Sequence, residues 1–307
     1  MRILIMDFTP AGDGTATGEL KSALLKGLRD TPIMQVSASD NARFEYAFPI
    51  EAPDRMQSAT MDDLLAQIDW FSPTLILARP TAEREALWLL TLALWSRYDI
   101  PVITWIMDDW ISVIGDPQKR ATFEASLAAV FTVAGKGLSI CDEMSDAFQA
   151  RYNVPFTAIA NGIDTEGEFS RFSPRISNPE TPFVFRYAGS LAHNMGVDTL
   201  EKVARAVKRL RLDGLDVHLQ IKTRNFWLQQ QGQRFVGISG VSATRSRMGR
   251  YTYLSWLSEA DCNLICYNFG DKTRRYVRYS LANKLPELLG VGAPVLGIGP
   301  SELPTIA

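Results

Sequence analysis

Residues Tyr279–Pro300 read YSLANKLPELLGVGAPVLGIGP: a helix opening, a glycine stop and a strand in close succession. Pro286 lacks a backbone N–H and is tolerated in a helix only within the first turn, so the helix begins near Asn283. Gly292 and Pro294 end it and launch the strand Pro294–Ile298. Glu287 then falls in the first helical turn, at the edge of a sheet where ligands bind in open α/β folds. A carboxylate there can accept two hydrogen bonds from a ribose diol, and Lys284, one turn earlier, can neutralise phosphate. A solvated Lys–Glu pair is the competing reading of the same two residues.

Outward from this stretch, short apolar runs alternate with amphipathic segments. Ile3–Met6, Thr74–Ala78, Pro101–Met107, Phe131–Ala134, Leu138–Cys141 and Phe156–Ala160 read as buried parallel strands. Leu20, Leu24, Leu25 and Leu28 share one helical face, and Met61–Asp69 and Asp142–Tyr152 are further helices. The segment 169–182, FSRFSPRISNPETP, has three prolines, three serines and no apolar period, and reads as a linker. Alternation restarts with Phe183–Tyr187, a helix over Asp198–Leu212, then Val217–Ile221, Phe235–Ile238, Cys262–Tyr267 and Pro294–Ile298. The expected architecture is two α/β domains, residues 1–168 and 182–307, joined by 169–181. Only SELPTIA follows the last strand, where an α/β layer normally sets a helix, so the second domain is expected to be incomplete.

Composition narrows the classes. The chain has 307 residues, 46% hydrophobic and 21% charged, which suits about two globular domains and excludes a disordered or fibrous protein. Three cysteines make no disulfide framework and point to a reducing compartment. Two histidines argue against a histidine-rich metal site, and a net charge of −2 against a nucleic-acid partner. The start MRILIMDF is too short in its apolar run for a secretory signal, and Leu87–Trp95 too short to cross a bilayer.

Three loops after strands carry candidate chemistry. In MRILIMDFTPAGDGTATGEL, Gly12, Gly14 and Gly18 lie between a strand and a helix, where backbone can approach a ligand and the helix N-terminus offers free N–H groups. Three readings stand: a substrate-facing loop, a tight turn, or a relaxed dinucleotide fingerprint with Asp40 as the ribose acid. In FVFRYAGSLAHNMGVDTL, the amides of Gly189, Ser190 and Leu191 can face an anion, and Gly196 permits a second bend. PVITWIMDDW is a buried strand that ends in Asp108, Asp109 and Trp110. One aspartate can orient or deprotonate an acceptor hydroxyl and Trp110 can stack on a sugar; capping of the next helix is the alternative for the acids. Asp13 is a further base candidate. The helix face Lys202, Arg205, Lys208, Arg209 and Arg211 suits either solvent or an anionic membrane surface.

Taken in order, the Gly12–Gly18 loop, ICDEMSDAFQARYNVPFTAIANGID (Ile140–Asp164), YAGSL, LSEADCNLICY and SLANKLPELLGVGAPVL resemble the GT-B glycosyltransferases of family 4 and the related group-1 enzymes. The resemblance implies two Rossmann-like domains facing across a cleft. It implies transfer of a sugar from a nucleotide-sugar donor to a hydroxyl of a glycan, polysaccharide or lipid-linked sugar, with retention. It sets Glu287 on the donor ribose, Gly189, Ser190, Leu191 and Lys284 near the diphosphate, and Gly12–Gly14 beside the transferring sugar; Gly14 is then counted with the donor, and Gly12, with Asp13 and Trp110 as read above, with the acceptor. The nucleotide-sugar is a substrate, so no cofactor and no metal are expected; the location implied is cytoplasmic, at the inner face of a membrane if the acceptor is lipid-linked.

This chain departs from that pattern. Tyr279 stands eight residues before Glu287 where many relatives have a second glutamate, and Ser190 and Met195 stand where many have Arg and Lys. Lys222, Arg274, Arg275 and Arg278 are the candidate replacements for the diphosphate cations. The alternatives are an idle binding or accessory protein of the same fold and, from the first glycine loop alone, an NAD-dependent oxidoreductase.

Overall fold

Four apolar residues with no polar break, Ile3–Met6, form β1, and all four are buried. In the computed structural model, residues 1–13, 15–28, 30–39, 43–48, 56–82, 84–163, 165–173, 175–176, 178 and 180–307 are described. They divide into two compact units, Met1–Asn161 and Gly162–Ala307. The Ile163 and Phe169 side chains pack in the core of the second unit.

In the first unit β1 is joined by β2 (Ile33–Ala38), β3 (Phe44–Ala47), β4 (Gln57–Ala59), β5 (Leu75–Ala78), β6 (Val102–Ile106), β7 (Gly137–Ser139) and β8 (Phe156–Ala158). The sheet order is β4-β3-β2-β1-β5-β6-β7-β8. β3 pairs antiparallel with β2 and β4, and the remaining pairs are parallel. Strand order reverses at β1, which lies between β2 and β5, so the carboxyl ends of β1 and β5 border the crevice where open α/β sheets take ligands. The helices are α1 (Ala16–Leu25), α2 (Met61–Phe71), α3 (Glu85–Tyr98), α4 (Trp110–Val113), α5 (Pro117–Ala134) and α6 (Asp142–Tyr152).

The second unit has β9 (Phe183–Ala188), β10 (Val217–Thr223), β11 (Val241–Arg245), β12 (Cys262–Cys266) and β13 (Val295–Ile298), all parallel, in the order β11-β10-β9-β12-β13. Here the order reverses at β9. Its helices are α7 (Val197–Leu212), α8 (Asn225–Gln231), α9 (Arg250–Ser258), α10 (Asp271–Val277) and α11 (Leu285–Gly290). Val217, Leu219 and Ile221 alternate along β10 and pack with Leu200, Ala204 and Val207 of α7. A second cluster joins Leu254 and Leu257 of α9 and Leu288 of α11 with Ile265 of β12, so helices cover both faces of the sheet. No helix among the described residues is long and apolar enough to cross a membrane.

Two expected strands are corrected. Phe131–Ala134 is the last turn of α5, whose Phe123, Leu127, Val130 and Phe131 recur at helical spacing on the buried face. Asp116 caps that helix ahead of Pro117, and Gly135, at φ 65°, ends it. Phe235–Ile238 straddles the end of a 3₁₀ turn, Gly232–Phe235; left-handed Gly237 and Gly240 break the chain there, and the strand begins at Val241.

Gly196 closes the approach of α7 to β12: a Cβ at this position would overlap the Cys266 carbonyl oxygen. Backbone cannot swing aside as a flexible side chain can, so Gly196→Ala is expected to destabilise the protein by about 1–3 kcal/mol, as overpacking does. Urea unfolding of the two proteins measures it, and equal midpoints would contradict the close packing.

Candidate active site

The carboxyl end of β9 turns through Gly189, Ser190 and Leu191, and three interactions fix the turn. The Gly189 N–H donates to the Lys222 carbonyl of β10 at 3.1 Å. The Tyr187 hydroxyl donates to the Ser190 carbonyl at 2.7 Å. The Leu191 side chain is wholly buried in the α7 core. The Gly189 amide is therefore taken by the sheet ladder rather than free for an anion, which corrects the expectation for that one amide.

α11 brings its first turn to the same edge. Lys284 directly precedes the helix, and its ammonium donates to the Ala188 carbonyl at 2.7 Å. The residue as a whole is partly exposed, but the ammonium is enclosed by protein. Burial pushes its pKa down to about 8; Glu287 opposes the shift and the positive charge of Arg224 adds to it. Arg224 follows β10 directly and is exposed, and no hydrogen bond or ion pair ties its guanidinium to another described residue. Lys222 lies one register step back on β10, opposite Ala188.

Glu287 is mostly buried, its side chain 12% exposed, and Arg250 of α9 donates to its Oε1 at 2.7 Å. The same guanidinium holds Glu168 through Nε at 2.8 Å and 3.0 Å and Nη2 at 2.8 Å. The two carboxylates hold the Arg250 pKa above its usual value in spite of burial. Tyr253, one turn along α9, buries its hydroxyl beside Glu287 without closing a hydrogen bond of good geometry. Burial, with the carboxylate next to it, raises the phenol pKa.

Thus Lys284, Glu287, Lys222 and the Gly189–Leu191 turn are brought to one edge. Arg275 is exposed on α10 and its Nε bonds the Asp271 carbonyl of the same helix, while Arg274 is paired with Glu302. Arg224, Arg250 and Tyr253 were not singled out in the sequence. Arg224 had a signal, a charge just past an apolar strand; Arg250 and Tyr253 had none, because their partner lies 37 residues from Arg250 in the chain.

In the first unit the carboxyl ends of β1, β5 and β6 each deliver a charge: Asp7, Arg79 and Asp108. Arg79 donates to Asp108 Oδ2 at 2.7 Å, lies 3.8 Å from Asp7 and stacks over the Phe8 ring at 4.6 Å. Lys21 of α1 is buried against Asp7 at 2.7 Å, and burial lowers its pKa while Asp7 resists the shift. Asp108 keeps 18% of its side chain exposed. Asp109, by contrast, is buried and bound through both oxygens to Arg151 of α6, at 3.0 and 3.3 Å. It stands at the cap position of α4 without a capping bond from its side chain, so its role there is the ion pair. Trp110 is 8% exposed and lines one small cavity with Asp108, Asp109, Ile111, Phe123 and Phe148. Its ring packs among these core side chains, beside the two aspartates.

The glycine loop is built as a helix start. Asp13 accepts from the Thr15 N–H and hydroxyl, and Thr15 accepts from the Gly18 N–H. Gly12, at φ 73°, donates to the Gly18 carbonyl at 2.8 Å. A side chain at Gly18 would strike Asp13 and the Pro10 carbonyl. Thr15 thereby caps α1, and Asp13 is engaged in holding the Thr15 amide and hydroxyl. Gly14 and Asp40 lie outside the described residues. No group of three or more His, Cys, Asp or Glu among the described residues is placed to hold a metal ion.

No family model and no curated protein matches the chain. Solved structures do. An Escherichia coli trehalose-6-phosphate structure bound with UDP-2-fluoro glucose aligns at TM-score 0.62 and 8% identity, over 97% of this chain and 84% of that one. The lipopolysaccharide outer-core galactosyltransferase WaaB aligns at 0.55 and 11%, over 97% and 80%. HepE of Anabaena in complex with UDP aligns at 0.54 and 12%, over 97% and 80%. These are GT-B glycosyltransferases, and the chain has their α/β fold; at such identities the likeness is one of fold alone.

The enclosed ammonium gives a pH test. Its folded pKa lies below the usual 10.5, so between about 8 and 10.5 the unfolded chain binds more protons and stability rises with pH. The gain attributable to Lys284 is roughly 2–3 kcal/mol across that window. In urea unfolding from pH 7 to 10.5, wild type is expected to gain stability relative to Lys284→Met; parallel profiles would contradict the enclosure.

Proposed function

We propose that this chain is a glycosyltransferase that takes its sugar from a nucleoside diphosphate-sugar held on the second unit. The observation that carries the reading is the Lys284–Ala188 bond, which pins the first turn of α11, with Glu287, against the turn after the strand where sheet order reverses. Glu287 accepts from the ribose diol. Arg224 meets the diphosphate and the enclosed Lys284 adds its positive charge without contact, in place of the Arg and Lys that the sequence lacks at Ser190 and Met195. Lys222 and the Ser190 and Leu191 amides border the same anion. The reading assigns leaving-group stabilisation to these protein cations, with no metal or further cofactor.

The first unit takes the acceptor hydroxyl, with Gly12 in the loop beside it. Asp108, partly exposed and oriented by Arg79, is the group assigned to the acceptor. Asp109 is withdrawn from that role because Arg151 engages both its oxygens. The acceptor class is a glycan, polysaccharide or lipid-linked sugar, and retention of configuration follows the likeness to trehalose-6-phosphate synthase, whose structures include one on transfer with retention. With a lipid-linked acceptor the protein would work at the inner face of a membrane.

A thermal-shift screen with UDP-, GDP-, ADP- and dTDP-sugars tests the donor. Ligand that binds only the native state raises the midpoint by mass action. One nucleotide class is expected to stabilise wild type, and Glu287→Ala to weaken that ligand at least ~10-fold, as loss of charge-assisted hydrogen bonds does. Asp108→Asn is expected to keep the affinity and lower sugar transfer. Equal nucleotide affinity in wild type and Glu287→Ala would contradict the ribose assignment. Firm nucleotide binding with no transfer to any acceptor would support the second reading, a binding protein of this fold, which the commitments of Asp109 and Asp13 favour.

A further inference from the structure

Resting on the proposed donor site, we infer that Arg250 is the positioning residue of Glu287, anchored by Glu168, and that this triad makes the site select ribonucleotides over 2′-deoxyribonucleotides.

A carboxylate discriminates a diol from a single hydroxyl only if its orientation is fixed, since a freely turning group recovers one good bond with either. Glu287 is fixed from one side: Arg250 occupies Oε1. Arg250 in turn makes three hydrogen bonds to Glu168, so its own position is set by the chain segment that enters the second unit. That segment is itself anchored, because Phe169, the next residue, is buried against Leu254, Leu257 and Leu288. A side chain on Gly290 would overlap Ile163 and Phe169, so α11 is in close contact with these two residues.

Charge points the same way. One guanidinium shared by two carboxylates leaves the triad with a net charge of −1. Hydroxyl donors suit that charge and phosphate oxygens do not. Lys284 bonds the Ala188 carbonyl, and the charges of Glu287 and Arg224 both act on it. The same edge thus carries a hydroxyl-accepting carboxylate and two cations, the groups that a ribose followed by a diphosphate needs. Tyr253 buries its hydroxyl beside Glu287 as well, a second side chain from α9 that confines the carboxylate.

The test is calorimetry of the full chain with UDP, GDP and ADP, each against its 2′-deoxy counterpart. Wild type is expected to favour the ribonucleotide by about 10–100-fold, the worth of one charge-assisted bond. Arg250→Met is expected to reduce the preference to within a few-fold of unity, and Arg250→Lys to restore part of it. In Glu168→Gln the anchor is weakened and the preference falls several-fold, with thermal unfolding without ligand confirming that each variant folds. A purely structural role for Arg250 would lower both affinities equally and leave the ratio intact; an unchanged ratio in both Arg250→Met and Glu168→Gln overturns the inference while the donor site stands. If wild type binds none of these nucleotides, or binds them no better than inorganic pyrophosphate, both the inference and the donor reading fall.

Discussion

An ammonium removed from water must be answered by nearby acceptors or lose its proton, and the second unit is organised around one such group. The ammonium of Lys284 is enclosed at the edge of the sheet, with the Ala188 carbonyl as its bonded acceptor and Glu287 as the nearest favourable charge. Moving α11 by even part of a turn would leave the charge without its acceptor. The bond therefore does more than join two residues: it sets the register of the Lys284–Gly290 segment against the end of β9, and so sets where Glu287 stands. Arg250 and Glu168 add a second constraint from α9 and the entering chain.

The first unit uses buried charge in a parallel way. Asp7, Arg79 and Asp108 follow three apolar strands, and Lys21 reaches in from α1. Buried pairs of this kind contribute little net stability against desolvation, though removing one partner is costly. Their effect is orientation: Asp108 is left partly open and held by Arg79, while its neighbour Asp109 is drawn inward by Arg151. Two adjacent carboxylates with the same formal chemistry thereby acquire different availability. Both units place their charged groups at the carboxyl ends of strands next to the order reversal, where side chains leave the apolar sheet and first meet polar surroundings.

Much of this was legible in the residues. Apolar runs such as Ile3–Met6 and the Pro–Glu–Gly order of the last helix have local causes, so strand identity and the α11 start could be read directly. Phe131–Ala134 misled because its β-branched and aromatic residues resemble a strand, and the deciding signals, Asp116–Pro117 and Gly135, lie at the two ends of an 18-residue helix. The resemblance carried Glu287 and Lys284, whose motif is contiguous. Arg250 and Tyr253 were invisible because they meet Glu287 only through the packing of α9 on α11. Trp110 shows the opposite case: its place beside two aspartates is plain in the sequence, while its burial depends on the packing of α5 and α6. Side chains whose role depends on one strand end are readable from sequence; those that depend on helix-on-helix contact are not.

The central claim is that the turn after β9 and the first turn of α11 together hold a nucleoside diphosphate. Amide hydrogen exchange on the whole chain, with and without a saturating nucleoside diphosphate, reports on both segments at once. The account predicts slowed exchange at residues 189–191 and 285–288, with smaller changes at the start of α9. Protection confined to the loop after β1, or none at either predicted segment under saturating ligand, would contradict it.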